Sequence, residues 1–321
     1  MWSYSAALTL IAALIHWTGD AWWIGTVLLF GPRWIWGVPL IGLLPWALLR
    51  QRVLLVPLLA AAALQLWPIM GYRWHGAAHP VQRNDVRVLS YNIGGAGPAG
   101  NGSVGLADLR WLVESVRADI IAFQECSHGE DELRVVFPEF EVHSSFDACF
   151  LSRYLISKFD PRDREDIAAL HGSGVINRYE LSTATGIISV LNLHLETPRK
   201  GLEDIFKHPV GVPQALRNVI ALRRVESGAA RQWAARAHGP QIILGDFNMP
   251  QDSAIYRDFW SGYQNMFVMC GHGFGYSKYT NHWGIRIDQV LTNAQWECSS
   301  ASVLGSLGGD HRPVFVTMRV K

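Results

Sequence analysis

From Met1 to Met70 the chain is apolar almost without interruption, with charged side chains only at Asp20, Arg33, Arg50 and Arg52. Uncharged stretches run from Met1 to Gly19, from Trp34 to Leu49 and from Val53 to Met70. Each is near the ~17–25 residues that a helix needs to cross a bilayer, so residues 1–70 read as a membrane region of about three transmembrane helices. The piece "AWWIGTVLLFGP" (Ala21 to Pro32) is too short to cross alone. It is expected in the interface, where Trp is favoured, or as an extension of the first span past Asp20. The first stretch has no basic start and further apolar runs follow it, which speaks against a cleaved signal peptide.

The pattern changes after Met70. Residues 71–85, "GYRWHGAAHPVQRND", combine Gly, Pro and polar residues without periodicity and read as a linker. Beyond it short β-rich apolar runs recur: "VRVLSY", "DIIAF", "ACFLS", "TGIISVLNL", "QIILG", "RIDQVLT" and "RPVFVTM". Between them Leu106, Leu109, Val113 and Val116 repeat at helical spacing, as do Leu216, Val219, Ile220 and Arg223 after Pro213, which suits a first turn. Near-continuous apolar strands mixed with amphipathic helices predict sheets covered by helices, an α/β layered domain over 86–321.

Charge sharpens the division. Of 28 Lys and Arg and 27 Asp and Glu, only three and one precede residue 71, so the remainder has a formal charge of −1. Nine of the 14 Trp precede residue 75, as a membrane region with interfacial anchors would place them. Arg50 and Arg52 occupy the short gap between the last two apolar stretches, and the positive-inside bias puts that turn in the cytoplasm. The expected localisation is therefore a multi-pass cell-membrane protein with an extracytoplasmic domain, although Arg73, Arg83 and Arg87 count for the opposite orientation. Cys126, Cys149, Cys270 and Cys298 show no CxxC and no zinc-like spacing. They form up to two disulfides or stay as buried thiols.

Candidate chemistry sits where the apolar runs end. In "ILGDFNMP" a strand-like run breaks into Asp246 and Asn248, two residues apart and hence on one face of an extended chain. An ordinary turn has the same composition. The other runs decide between the two, because they carry Asn92, Gln124 and Glu125, His194, Asp288, and Asp310 with His311 at or beside their ends. Independent turns explain that series poorly, since the ends of packed strands converge on one rim. Oxygen donors without a thiolate cluster select a hard cation such as Mg²⁺ or Mn²⁺, with Glu125 the first ligand.

With "LSYNI", "DIIAFQE", "LNLHLE", "GDFN", "RIDQVL" and "GDHRPV" in that order, residues 86–321 resemble the endonuclease/exonuclease/phosphatase superfamily. "ACFLSRYLI" is similar to that family's strand ending in Ser-Arg. The resemblance implies a four-layered α/β/β/α sandwich of two mixed sheets and a metal-dependent hydrolase acting on phosphoester bonds. It implies that Asn92 and Asp310 join Glu125 at the metal, that Asp246 orients or deprotonates the attacking water, and that Asn248 donates to a phosphate oxygen. His311, fixed by Asp288, and His194 act on the phosphate from two sides. Arg153, Arg199, Lys200 and Tyr276 are the expected substrate contacts.

The near-neutral balance gives no general excess for DNA, and a local patch of Arg199, Lys200, Lys207 and His208 shares its stretch with three acids. The segment "GHGFGYSKYTNHWGIR" offers Phe274, Tyr276, Tyr279 and Trp283 as a rim for a base or a headgroup, or as core. A membrane-anchored Mg²⁺-dependent phosphoesterase with a lipid-like or small substrate is expected. A tethered nuclease and a non-catalytic phospholigand-binding protein are the alternatives. The partners expected are the bilayer and the phosphoester; nothing in the sequence identifies a protein partner.

Overall fold

The computed structural model describes residues 1–75, 79–94, 104–207, 212–280 and 282–321, the side chains of 204–207, 212 and 213 excepted. Lys207 and His208 of the suggested basic patch thus lie outside the described side chains.

Fourteen strands are described: β1 Val86–Asn92, β2 Ile120–Gln124, β3 Glu141–Ser145, β4 Ala148–Ser152, β5 Leu155–Pro161, β6 Val175–Thr183, β7 Gly186–His194, β8 Gln241–Asp246, β9 Gln264–Asn265, β10 Lys278–Thr280, β11 Trp283–Ile285, β12 Asp288–Thr292, β13 Trp296–Val303 and β14 Val314–Val320. They form two six-stranded mixed sheets, β13-β14-β1-β2-β4-β3 and β5-β6-β7-β8-β12-β9, and the ribbon β10-β11. In each large sheet one central pair is parallel, β1 with β2 and β7 with β8.

The strands β2, β4, β8 and β12 are buried on both faces, which is why they read as continuous apolar runs. Val88, Ala122, Phe150 and Val316 of the first sheet meet Tyr179, Val190, Leu244 and Val290 of the second. On the outer face of the first sheet, Leu89 and Phe123 pack against Leu109, Leu112 and Val113 of the helix Leu106–Val116. On the outer face of the second, Leu191 and Ile243 pack against Ala230 of the helix Val212–Ala234 and Ile255 of the helix Ala254–Trp260. The result is the expected α/β/β/α sandwich.

Register brings the polar strand ends together. Asn92 pairs with Gln124, His194 pairs with Asp246, and Asp246 pairs with Asp288. Gly245 makes the strand end feasible: its φ is +135° and an added Cβ would lie 1.9 Å from the Leu193 carbonyl oxygen, so only glycine fits.

The N-terminal region is helical, with a core of Leu8, Ile15, Leu29, Leu58 and Ile69. Among the described residues one helix is by itself long and apolar enough to cross a membrane, Arg52–Ile69 with a mean hydropathy of 1.7. Trp23–Phe30 and Arg33–Arg50 qualify only as a pair, bent by 82°. The first apolar stretch does not continue past Asp20, because Gly19 takes φ +46° and Trp22 is extended.

Asp20 instead turns into the sandwich. Fully buried, it pairs with Arg223 at 3.1 Å and accepts from Ser253 Oγ and the Ala254 amide at 2.8 Å each. Arg33 pairs with Asp252 at 2.9 Å, Trp283 Nε1 donates to the Phe30 carbonyl, and Tyr276 Oη donates to the Met70 carbonyl. The 71–85 segment is pinned at both ends, since Arg73 exchanges backbone hydrogen bonds with Gly273 and Asp85 accepts from Ser299 Oγ at 2.7 Å. Cys126 is joined to Cys149 and Cys270 to Cys298 as disulfides.

Candidate active site

At the rim where the central strands of both sheets end lies a cleft of about 190 Å³, lined by Glu125, His194, Arg199, Asp246, Lys278 and His311 among others. Asn92 is buried beneath it. Its Nδ2 donates to Glu125 Oε1 at 2.9 Å and to Asp246 Oδ2 at 3.1 Å, so one amide clamps a carboxylate from each sheet. Glu125 follows β2 in the left-handed region, φ +51°, and Asn248 follows β8 at φ +51°. Such backbone costs on the order of 1–3 kcal/mol at a residue other than glycine, less at asparagine, and concentrates where function holds it. A Cβ on Gly94 would lie 2.1 Å from Glu125 Oε2, so glycine there seats the carboxylate.

Asp246 is almost fully buried; its Oδ1 accepts from the Asn248 amide at 2.8 Å. Burial, with Asp288 behind it, pushes the Asp246 carboxyl above its ordinary pKa against His311, His194 and Lys278. A carboxylate so placed is a better proton acceptor than one in water. Asn248 is turned by its own side chain, whose Nδ2 donates to the Leu195 carbonyl at 2.7 Å and keeps one further hydrogen.

His311 Nδ1 lies 2.9 Å from Asp288 Oδ2, which requires the hydrogen on Nδ1. Burial alone would lower the His311 pKa, but Asp288 and Asp246 outweigh burial and the opposing Lys278 and raise it. Lys278 Nζ stands 2.9 Å from Nε2 and 2.6 Å from Asp310 Oδ2. An ammonium only donates, so this bond uses the lone pair of neutral His311; when His311 is protonated the lysine rests on Asp310 alone. Across the cleft His194 Nδ1 is 3.2 Å from Asp147 Oδ2. Burial acts against its charge, yet Asp147, Asp246 and Glu125 raise its pKa to about 9.

Of the site residues expected from sequence, Asn92, Glu125, His194, Asp246, Asn248, Asp288, His311 and Asp310 are brought to this rim, and Arg199 lines the cleft 3.8 Å from Asp310. Arg153 is not among them. β4 runs antiparallel to β2, pairing Ser152 with Ile120, so Arg153 leaves the sheet at the opposite end, bonded to the Ala118 carbonyl and over Phe140. Tyr276 faces the helical region, donating to Met70 and stacking on Phe274, and Lys200 is exposed outside the cleft. Sequence reasoning missed Lys278, Asp147, Ser173 and Thr197. Lys278 lies inside a segment noted only for its aromatics, and its pairing with His311 across 33 residues has no local signal.

Glu125 fits a divalent ion: its donors are oxygens, and Oε2 points toward the glycine at position 94 rather than to a hydrogen-bond donor; Asn92 orients it through Nδ2, while its own Oδ1 accepts the Gly94 amide at 3.1 Å and keeps one lone pair. Asp310 offers Oδ1, its Oδ2 being held by Lys278. Asp246, Asp288 and His311 also bring one ligand atom each within 4.8 Å of one another. His311 Nδ1 is already bound to Asp288, and Asp246 stands 3.6 Å from Nε2 without a hydrogen bond, so the trio is better described as a hydrogen-bonded Asp288–His311 pair beside Asp246.

Among curated protein sequences none matches the chain. Solved structures resemble it. The endonuclease/exonuclease/phosphatase from Bacteroides vulgatus has a TM-score of 0.57 at 14% identity, covering 74% of this chain and all of its own. D. rerio TDP2 complexed with single strand DNA product has 0.53 at 12%, covering 74% and 100%. The human nocturnin catalytic domain with bound sulfate anion has 0.52 at 14%, covering 75% and 96%. These likenesses establish the fold. The profile of the Endonuclease/Exonuclease/phosphatase family matches residues 89–311, which include the strand-end residues from Asn92 to His311, and the chain belongs to that family of phosphoester hydrolases.

Proposed function

We propose that the protein is a membrane-attached, Mg²⁺- or Mn²⁺-dependent phosphoesterase that hydrolyses lipid-like or small phosphoesters by in-line attack of water. The observation that carries this is one cleft in which the carboxylate of Glu125 and the buried Asp246 face the cationic His194, Lys278 and Arg199. A divalent ion held by Glu125 and Asn92, with Asp310 in support, would polarise a phosphoryl oxygen and stabilise charge on the departing group.

The side chains supply the rest. His194, Lys278 and Arg199 hold the phosphate, and Asn248 directs its second amide hydrogen to a phosphate oxygen. Asp246 accepts the proton of the attacking water as its oxygen bonds to phosphorus and the P–O bond on the far side breaks. Asp288 keeps the Nδ1 hydrogen of His311 in place. Protonated Nε2 then faces the phosphate and can return a proton to the departing oxygen.

The apolar helices packed on the sandwich and the −1 balance of the remainder favour a membrane-derived or small substrate over duplex DNA. A nucleic-acid substrate is the second reading, favoured by the single-stranded DNA product held by one structural neighbour. For placement in the cell we infer a multi-pass membrane region, 1–70, with the catalytic domain outside. Gln65 Nε2 donates to the Arg33 carbonyl, which puts Arg50 and Arg52 at the far end of the helix pair from the sandwich. Two disulfides suit an oxidising compartment.

The deciding assay offers sphingomyelin, phosphatidylinositol phosphates, a nitrophenyl phosphodiester, plasmid DNA and RNA with Mg²⁺. Turnover of lipid or small phosphodiester, absent in Glu125→Ala, supports the first reading. Turnover confined to nucleic acid replaces it with the second, and none with any substrate refutes both.

A further inference from the structure

Asn248 is held at three points. Its φ of +51° is a backbone conformation that persists only where the surroundings fix it. Its amide donates to Asp246 Oδ1 at 2.8 Å, its Nδ2 donates to the Leu195 carbonyl at 2.7 Å, and its own carbonyl accepts from Arg223 Nη2 at 2.8 Å. The first two partners are neighbouring strand ends. The third comes from the helix Val212–Ala234, none of whose described residues lines the catalytic cleft.

Glu226, three residues further along that helix, acts on the same clamp. Its Oε2 accepts the Glu196 amide at 2.6 Å and its Oε1 the Gly174 amide at 3.0 Å. The Glu196 N–H and the Leu195 carbonyl belong to one peptide unit. A carboxylate on the nitrogen side of that unit strengthens the oxygen that the Asn248 side chain uses. Arg223 thus fixes the main chain of Asn248, and Glu226 its side chain.

Arg223 is 1% exposed and would be an isolated buried cation without a counter-charge. Asp20 supplies it, 3.1 Å from Nη1, and the Phe30 ring covers the guanidinium with its centroid 5.4 Å away. Both come from the helical region. Gly19 lets that region close on the sandwich: its φ is +46° and an added Cβ would lie 2.8 Å from the Asp252 carbonyl oxygen.

We infer that Arg223 is a positioning residue for the hydrolysis: with Glu226 it fixes the Asn248 amide toward the phosphate, and Asp20 of the helical region is the counter-charge that keeps it there. The inference rests on the phosphate contact proposed above for Asn248. Asp20, Arg223 and Glu226 act on the reaction through Asn248, so the helical region completes the catalytic geometry.

The test compares full-length wild type, Asn248→Ala, the double variant Asp20→Leu with Arg223→Met, and the triple variant, in detergent with Mg²⁺ and a nitrophenyl phosphodiester. The double variant leaves neither charge buried alone, so it is expected to fold. It should still lose roughly tenfold or more in kcat/KM, as for one charge-assisted bond to phosphate. Added to Asn248→Ala it should cost about twofold at most, because residues that act as a unit are non-additive. Hydrogen exchange read by mass spectrometry reports the geometry without turnover: residues 246–249 should exchange faster in the double variant while β1 does not. Arg223→Lys serves where the double variant fails to fold. It keeps a charge opposite Asp20 but gives up the fork that reaches two acceptors, and the same losses are expected.

Wild-type kcat/KM, or unchanged exchange over 246–249, in either folded variant would overturn the inference. So would losses that multiply with that of Asn248→Ala. Full activity of Asn248→Ala refutes the phosphate contact itself, and the inference falls with it. A diester that wild type leaves intact counts against the proposed hydrolysis, and the exchange then decides the positioning.

Discussion

Replacing Asp20 by alanine tests whether the helical region is a tether or part of the folded unit. Asp20 is fully buried and Arg223 is 1% exposed; the pair is 3.1 Å apart, and Arg223 Nη2 continues to the Asn248 carbonyl at 2.8 Å. Removing one member of a buried pair leaves the other charged and unsolvated, at a cost of about 3–5 kcal/mol. Asp20 also accepts the Ala254 amide at the start of the helix Ala254–Trp260. Ser253 caps that helix through the Tyr256 amide and is itself oriented by Asp20, so a further ~1 kcal/mol is expected.

A total of about 5 kcal/mol, at roughly 2.1 cal/mol/K per residue over 321 residues, lowers the melting temperature by about 7 °C. Asp20→Asn should do nearly as much damage, since its amide nitrogen would face the Arg223 donors. The double variant Asp20→Leu with Arg223→Met should recover much of the loss, because a buried ion pair replaced by apolar groups is often near neutral. The assay is thermal unfolding of the full chain in detergent, with turnover as a second readout through Asn248. A drop under 1 °C for Asp20→Ala would show that the contact contributes nothing and that the two regions fold independently.

Chelation should abolish hydrolysis and Mg²⁺ or Mn²⁺ restore it, with Glu125→Ala inactive yet folded by circular dichroism; full activity in excess chelator refutes the metal assignment. Lys278→Met removes charge-assisted bonds of about 1.5–3 kcal/mol each and should cut kcat/KM roughly tenfold to a hundredfold; an unchanged kcat/KM places Lys278 outside the phosphate site. His194, with its pKa raised from 6.5 to about 9, favours folding fully below pH 6.5, and that contribution fades as pH climbs through 9. The shift corresponds to at most about 3 kcal/mol, so in chelator wild type should lose more stability than His194→Gln between pH 6.5 and 9.5, and parallel losses would rule out this assignment. A reporter fused after Lys321 should be active as alkaline phosphatase and dark as a cytoplasm-dependent fluorescent protein, with the reverse pattern placing the active site in the cytosol.

Much of this protein was legible along the chain. Runs such as "QIILG" and "RPVFVTM" declare buried strands by continuous apolarity, and the order of polar residues at their ends carries the family. Those signals are local: an extended chain alternates its side chains, and a buried strand must shed its polar groups at its ends. Which end of a strand meets the site is not local. Arg153 and Glu125 each close an apolar run, but antiparallel pairing of β4 with β2 sends them to opposite rims. Asp147 reaches His194 only through the packing of the two sheets, and Lys278 reaches His311 only through the bridge that lays the β10 ribbon beside it. Asp20 looked like an interruption in an apolar stretch, and Tyr276 like a substrate contact. Both turned out to bind the helical region to the sandwich, because a buried charge or hydroxyl takes whichever partner the folded chain brings within 3 Å or so, and no spacing in the sequence records that distance.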